Sequence, residues 1–279
     1  MQGFSPKKYK TCETTDRIVE QVYYIIYSVM SVYPLKKLPS GHIFLDPSDD
    51  CLAAARALDQ TGYTEDFCLA LDFDPWFIAR LMAAGFLVMS CALEEPANKS
   101  NDTASAGNRK FKNDRYILLP KHHLERSCLF FPELHIKKKI RSKLSGYELR
   151  FDQDFDTVLD KCIATHGDDW LTEPLVNLIR EIRRDPGMPV KPVSFGLYRE
   201  GCLKAGEFGI MAGNVYTSYS GYYDESNTGT IQMILTAQYL EKTGHEFWDL
   251  GMPLDYKLTL GAREIPRKQF MALLRVSNM

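Results

Sequence analysis

The fold is decided by residues 193–219, VSFGLYREGCLKAGEFGIMAGNVYTSY. This stretch contains three apolar and aromatic runs, each long enough for a β-strand, at residues 193–198, 203–210 and 214–219. Glu200-Gly201 and Ala212-Gly213 separate the runs, and glycine at these points allows tight turns. The pattern therefore predicts an antiparallel meander of three strands.

Further strand and helix patterns extend from the meander in both directions. The predicted strands are residues 116–120, 127–131 and 246–250, and the predicted helices are residues 155–164, 174–183, 230–242 and 268–274. This order predicts an α+β domain with a mostly antiparallel sheet, the layout of GNAT-type acyltransferases. Most of these bind coenzyme A through an [RQ]-x-x-G-x-[GA] loop. The corresponding residues 224–229 read DESNTG, so coenzyme A is not expected.

A polar stretch divides the chain. Residues 94–114, EEPANKSNDTASAGNRKFKND, contain almost nothing to bury and predict a loop or linker. Before this stretch, Asp74-Pro75 starts a predicted helix that Gly85 ends. We therefore expect a small N-terminal α/β module over residues 1–118 and a GNAT-like domain over residues 119–279.

The composition is that of a soluble globular protein. The 279 residues include 34 Lys and Arg against 36 Asp and Glu, and this balance excludes indiscriminate coating of nucleic acid. Seven scattered cysteines without a C-x-x-C pair exclude a disulfide framework and a zinc ribbon, and they predict a cytoplasmic protein. The apolar residues 18–33 include Glu20 and are too few to span a bilayer, so we expect an amphipathic helix and no membrane association.

The most distinctive string is LGAREIPRKQF, residues 260–270. By pattern alone it is a glycine turn, a proline at a helix start and a basic cluster. The string closely resembles the C-terminal signature of the leucyl/phenylalanyl-tRNA–protein transferases. Other segments resemble that family in the same order: Gly85-Phe86-Leu87, Leu134-His135-Ile136, Trp170-Leu171-Thr172, the glycines Gly206 and Gly209, and Trp248-Asp249-Leu250-Gly251. The resemblance covers roughly residues 74–274.

This resemblance implies transfer of Leu, Phe or Met from aminoacyl-tRNA to the N-terminal Arg or Lys of an acceptor protein, which marks the acceptor as an N-degron. The reaction is aminolysis of an activated ester, and an α-amine with a pKa of about 7.7–8.0 is partly neutral in cells. The enzyme has to align two substrates and move a proton, so we expect no metal and no organic cofactor. A monomer is expected because the family is usually monomeric.

The catalytic residues implied by the resemblance are Asp249 and Tyr219. Asp249 matches the family's strand-end Asp, which orients a proton relay or holds the incoming amine. Tyr219 falls where the family has the carboxylate of its G-E-S segment, and Gly251 falls where it has Gln. These replacements imply that the specificity has moved or that the activity is lost.

The aminoacyl pocket carried over from the family consists of Trp170, Glu207, Tyr216, Met233 and Met89. Glu207 is the sharpest departure, because an apolar residue is expected at its position and a buried carboxylate is costly unless it is paired. We expect that Glu207 either supplies the charge missing at Tyr219 or selects a polar or cationic aminoacyl group. The alternative is that Glu207 points to solvent from a hairpin edge.

A dense basic run follows the Leu134 segment. It consists of Lys137, Lys138, Lys139, Arg141 and Lys143, and it coincides with the tRNA-contacting helix implied by the resemblance. Residues 121–150 as a whole carry a charge of +5, whereas residues 41–75 carry −7. Phosphate binding by this run is therefore expected, with a steep dependence on salt.

Two other readings of the function stay open. One is a non-catalytic protein that binds tRNA or N-degrons, and the replacements at Tyr219 and Gly251 favour it. The other is a small-molecule acyltransferase, which the missing coenzyme A loop disfavours. His122-His123 and the Cys162…His166 pair are interpreted as structural, because neither has a third partner at motif spacing.

Overall fold

The computed structural model describes residues 33–93 and 115–274. The described residues from Leu35 onward belong to one compact unit. The predicted linker at residues 94–114 and nearly all of the predicted amphipathic helix at residues 18–33 lie outside the described residues.

A seven-stranded sheet forms the centre of this unit. Its spatial order is β11-β5-β10-β9-β8-β7-β6, and five of the six neighbouring pairs are antiparallel. The parallel pair is β9 with β10. The strands are β5 (Glu125–Leu129), β6 (Glu148–Phe151), β7 (Lys191–Arg199), β8 (Cys202–Ala212), β9 (Val215–Tyr223), β10 (Phe247–Asp249) and β11 (Arg263–Pro266). The predicted meander and the mostly antiparallel sheet are confirmed.

Two smaller sheets precede the central one. Strands β1 (Lys36–Lys37) and β2 (Ile43–Phe44) form one antiparallel pair, and β3 (Leu87–Ala92) and β4 (Tyr116–Lys121) form the other. The predicted domain boundary at residue 118 falls within β4. The division into two domains and the kinship to GNAT enzymes stay predictions.

Eight α-helices are present among the described residues. They are α1 (Cys51–Gln60), α2 (Pro75–Ala83), α3 (Lys138–Arg141), α4 (Phe155–His166), α5 (Glu173–Arg184), α6 (Thr228–Lys242), α7 (Asp255–Leu260) and α8 (Arg267–Leu273). The predicted start of α2 is confirmed, because Asp74 Oδ1 accepts a hydrogen bond of 2.7 Å from the Phe77 amide and Pro75 follows as the first helical residue. Helix α2 ends before Gly85, whose φ of 89° suits glycine.

The two faces of the central sheet are covered by different helices. Helix α6 covers the face of Phe195, because the Tyr239 ring lies 5.4 Å from the Phe195 ring. Helix α4 covers the face of Phe208, whose ring lies 6.2 Å from that of Phe155. We call these the α6 face and the α4 face. The side chains of one strand alternate between these faces, so the register decides which functional residues can meet.

Candidate functional site

The parallel pair β9–β10 ends where the candidate site begins. Its register runs from Phe247↔Val215 to Asp249↔Thr217, and β9 then continues to Tyr223 without β10 beside it. After Asp249 the chain turns toward β5, where the Leu250 amide donates to the Ser127 carbonyl over 2.9 Å. The two parallel strands therefore separate immediately beyond Asp249, on the side where β10 has its carboxyl end.

Asp249 is held by partners on three sides. It is 0% exposed; its Oδ2 accepts from the Thr217 hydroxyl over 2.9 Å, and its Oδ1 accepts from the Gly251 amide over 2.9 Å. Arg126 Nη1 lies 3.1 Å from the same Oδ2. These contacts fix the orientation of the carboxylate, and the nearby guanidinium compensates its charge.

Arg126 was missed by sequence reasoning. It is 1% exposed, and its guanidinium carbon lies 4.2 Å from the centroid of the Phe270 ring. In the sequence it is a single basic residue beside a predicted strand, 123 positions from Asp249, and only the charge of the segment 121–150 included it. No local pattern signals a partner at that separation.

Tyr219 lies at an irregular point of β9. The pairing with β8 changes register between Phe208↔Ser220 and Gly209↔Ser218, so Tyr219 is the extra residue of a β-bulge. Its hydroxyl oxygen accepts from the Val88 amide over 3.0 Å, and its ring lies 5.9 Å from that of Phe208. Burial raises the pKa of Tyr219 well above its usual value, so the phenol stays neutral and keeps its proton.

Glu207 lies in the interior, on the α6 face. It is 5% exposed, and its Oε2 accepts from the Ser218 hydroxyl over 3.1 Å. The same Ser218 hydroxyl oxygen accepts from the Trp248 indole N–H over 2.8 Å. Burial raises the pKa of Glu207 to about 7, although Gln232, Ser218 and the charge of Lys257 act in the opposite direction. The solvent-facing alternative for Glu207 is therefore wrong.

Lys257 is a second buried ion that the sequence did not reveal. It is 6% exposed, and its ammonium donates to the carbonyls of Leu250 over 2.6 Å and Met252 over 2.7 Å. Burial lowers the pKa of Lys257 to about 8, while the charges of Asp249 and Glu207 act against this shift. Lys257 thus clamps the turn around Gly251 and lies within the electrostatic reach of both carboxylates.

The predicted pocket residues fall into two groups. Tyr216 and Met233 belong to the core on the α6 face together with Glu207, and the Tyr216 ring lies 6.1 Å from that of Trp248. Met89 lies on β3, where the amide of its neighbour Ser90 donates to the Trp170 carbonyl over 2.9 Å. Met89 and Trp170 are thus close to β3, the strand whose Val88 contacts Tyr219. Tyr216 and Met233 instead lie in the core on the side of Glu207.

The predicted tRNA-binding run is displayed on the surface. Ile140 is buried and anchors the short helix α3, whereas the five basic side chains around it are exposed. None of them forms an ion pair with a residue in the described part of the chain. The exposed basic side chains are Lys137, Lys138, Lys139, Arg141 and Lys143.

Arg267 of the distinctive C-terminal string is buried and serves the fold. Its guanidinium donates to the carbonyls of Tyr63 over 3.0 Å, Glu65 over 3.1 Å and His122 over 2.5 Å. The ring of His122 packs 5.0 Å from that of Phe86, and burial lowers its pKa well below the usual value. Arg267 thus fastens α8 to the chain around His122.

Cys162 has a structural contact with the sheet. Its thiol donates to the Ser220 carbonyl over 3.4 Å, and burial raises its pKa to about 12, so it carries no thiolate at neutral pH. Among residues 33–93 and 115–274 no group of three His, Cys, Asp or Glu side chains is placed to hold a metal ion. Within the same ranges no helix has the length and apolarity needed to cross a membrane.

Known proteins resemble this chain over its second half. The sequence model of the leucyl/phenylalanyl-tRNA protein transferase family matches residues 128–275. The transferase of Pseudomonas fluorescens is 29% identical over 150 residues, which are 52% of this chain and 65% of that protein. That of Flavobacterium johnsoniae is 28% identical over 156 residues, 54% of this chain and 72% of that protein.

Two solved structures share a weaker likeness. FemX gives a TM-score of 0.38 at 12% identity, with 86% of this chain and 84% of FemX covered. L-PGS from Bacillus licheniformis gives 0.33 at 13% identity, with 79% and 71% covered. The matched part of this chain spans 65% of the length of the Pseudomonas fluorescens relative. Because the family model matches more than half of its residues, this chain belongs to the leucyl/phenylalanyl-tRNA protein transferase family.

Proposed function

We propose that this protein transfers an amino acid from aminoacyl-tRNA to the N-terminal Arg or Lys of an acceptor protein. The observation that carries the proposal is Asp249, a fixed carboxylate at the point where β9 and β10 separate, within the residues that the family model matches. The donated residue would be of the Leu, Phe or Met type. The product would be an N-degron made in the cytoplasm by a monomer.

The reaction is the aminolysis of an ester. The nitrogen of the acceptor amine forms a bond to the carbonyl carbon of the aminoacyl group, and the electron pair of the carbonyl bond moves to its oxygen. When this intermediate collapses, the bond to the ribose oxygen of the tRNA breaks and a proton passes from the nitrogen to that oxygen. Alignment and proton transfer supply most of the acceleration, and this chemistry requires no cofactor.

Asp249 is suited to hold the attacking amine. Its oxygens are oriented by Thr217 and Gly251, so a hydrogen bond from the ammonium or amine would meet an acceptor in a fixed position. Tyr219 keeps its hydroxyl proton beside this carboxylate and is a neutral donor for a substrate oxygen. Replacing Asp249 by Asn should abolish most of the transfer while the affinity for tRNA is retained.

Glu207 would select the donated residue through the α6 face. A carboxyl group with a pKa of about 7, with one oxygen that accepts from Ser218, would extend the donors beyond the Leu, Phe and Met type to an aminoacyl side chain that donates a hydrogen bond. Transfer of Leu, Phe, Met, Lys and Arg from charged tRNA should differ between the wild type and Glu207→Leu. An unchanged donor profile would refute this role for Glu207.

A non-catalytic protein that binds tRNA or N-degrons is the second candidate. The tyrosine at position 219 supports it, because a neutral phenol cannot carry the negative charge of the carboxylate expected there. Incubation with charged tRNA and a peptide that begins with Arg or Lys separates the candidates. Transfer supports the first, tRNA or peptide binding without transfer supports the second, and neither result would point to a small-molecule acyltransferase.

A further inference from the structure

The guanidinium of Arg126 is buried with most of its hydrogen-bonding capacity unused. An arginine side chain presents five N–H donors, yet Nε, Nη1 and Nη2 make no hydrogen bond to any residue in the described part of the chain. Among the described residues, its polar contact is the ion pair of 3.1 Å with Asp249 Oδ2. Burying unpaired donors costs folding free energy, so the buried position of Arg126 is not explained by its contribution to stability.

The ion pair with Asp249 does not supply that reason. An arginine and a carboxylate that only stabilise each other usually form two parallel hydrogen bonds. Here the Asp249 oxygens accept from Thr217 and Gly251, and the guanidinium of Arg126 lies beside them, over the Phe270 ring. The free donors of Arg126 are therefore available to a third group that has acceptor oxygens.

Two residues next to the pair are partly exposed, whereas Asp249 and Arg126 themselves are buried. Thr217 and Tyr219 are only partly buried, and β9 has no β10 partner beyond Thr217. Tyr219 lies close enough to feel the charges of both Arg126 and Asp249. A substrate group that enters between the separated strands would meet an acceptor, Asp249, and two donors, Arg126 and Tyr219.

We propose that Arg126 is a catalytic residue that donates hydrogen bonds to the carbonyl oxygen of the donor ester; this role rests on the proposed function. As the amine nitrogen bonds to the carbonyl carbon, negative charge develops on that oxygen, and a fixed guanidinium stabilises it more than it stabilises the neutral ester. Asp249 next to it holds the amine. Collapse breaks the ester bond to the ribose oxygen, which receives the proton that the nitrogen loses.

The test compares Arg126→Lys with wild type in single-turnover transfer from charged tRNA to a peptide with an N-terminal Arg. Lysine keeps the positive charge beside Asp249 but lacks the planar array of donors. The rate at saturation should fall roughly 100- to 1000-fold, as for the loss of an oxyanion donor, while KM for charged tRNA stays unchanged. Arg56→Lys, on the exposed side of α1, is the matched control and should transfer at the wild-type rate.

A second measurement uses the unaltered protein and does not depend on the variant folding. A phosphonate analogue of the aminoacyl ester carries the charge of the intermediate, and an uncharged amide analogue does not. Wild type should bind the phosphonate at least 10-fold more tightly, and equal affinities would overturn the role of Arg126. Wild-type transfer rates in Arg126→Lys would also overturn it while leaving the proposed function intact. A wild type that transfers nothing would overturn the proposed function and this role together.

Discussion

Besides Arg126, three buried ionisable side chains lie near the end of β10, and each has different partners. Asp249 has two hydrogen bonds and an ion pair, Lys257 has two carbonyl acceptors, and Glu207 has one hydrogen bond from Ser218. The raised pKa of Glu207 and the lowered pKa of Lys257 both have burial as their main cause.

The ionisation of Glu207 should destabilise the folded protein. Its pKa rises from 4.5 to about 7 on folding, so the folded state binds more protons than the unfolded state between these two pH values. Stability is therefore lost as the pH rises from about 4.5 to about 7. We expect Glu207→Gln to gain about 3 kcal/mol of unfolding free energy relative to wild type between pH 4 and pH 8, measured by urea denaturation.

The control for this measurement is Glu241→Gln, at an exposed position of α6. The difference between Glu241→Gln and wild type should stay constant across the same pH range. If Glu207→Gln also kept a constant difference, the carboxyl group would have its ordinary pKa in the folded protein, and burial would not raise it.

The conformation of the C-terminal string, residues 260–270, is set by its packing against Glu133 and β5. Gly261 ends α7 with a φ of 105°, and a Cβ atom there would lie 2.0 Å from the Glu133 carbonyl oxygen. The string then pairs as β11 with β5 and continues into α8, where Arg267 lies buried. The residues that make this string recognisable thus hold β5, which carries Arg126, in its place.

Arg267→Lys should weaken this attachment. A lysine has a single ammonium nitrogen and cannot take the positions of both Nη1 and Nη2 of Arg267, so at least one of the acceptors at Tyr63, Glu65 and His122 would be left buried without a donor. We expect a loss of about 2–4 kcal/mol in the free energy of unfolding, measured by chemical denaturation. Lys268→Gln, next to it and exposed, should be neutral. A loss equal to that of Lys268→Gln would show that Arg267 is not a fastening residue.

Gly209 sets the separation of β8 from β9 beside the bulge. A Cβ atom there would lie 2.2 Å from the Thr217 carbonyl oxygen and 2.7 Å from the Tyr216 ring. Gly209→Ala should therefore push the two strands apart, lowering both the melting temperature and the transfer rate because Thr217 holds Asp249. Gly146→Ala, where a Cβ atom meets nothing within 4 Å, is the control. A Gly209→Ala variant with unaltered melting would contradict this packing.

The sequence predicted the long, regular elements and missed what depends on distant partners. The meander, α2 with its Asp74 cap and helices α4, α5 and α6 follow from patterns within single segments. Helix α1, the short helix α7 and strand β11 were missed. Arg126 and Lys257 were missed because each is a single basic residue whose role comes from β10, and no local period encodes that contact.

The acidic segment, residues 41–75, and the basic segment, residues 121–150, differ in how far their charges are paired within the folded protein. In the acidic segment, Asp50 and Asp74 cap helices, while Asp46 and Asp49 bind Lys36 over 2.6 and 3.0 Å. Much of this negative charge is thus already used by the fold. The basic run around α3 makes no such ion pairs within the described residues, so it is available to an external anion.

The basic run should dominate the salt dependence of tRNA binding. Each phosphate contact contributes roughly 0.7–0.9 to the slope of log affinity against log salt. Replacing Lys138, Lys139 and Arg141 by Ser should therefore reduce the slope by about 2 and weaken binding of charged and uncharged tRNA alike, since phosphate contacts do not read the aminoacyl group. The control is a triple variant of exposed basic residues elsewhere in the chain: Arg184→Ser, Lys242→Ser and Lys268→Ser. It has the same net charge as the first triple variant and should keep the wild-type slope. Equal slopes for the two triple variants would mean that the total charge attracts tRNA and that α3 has no particular part in it.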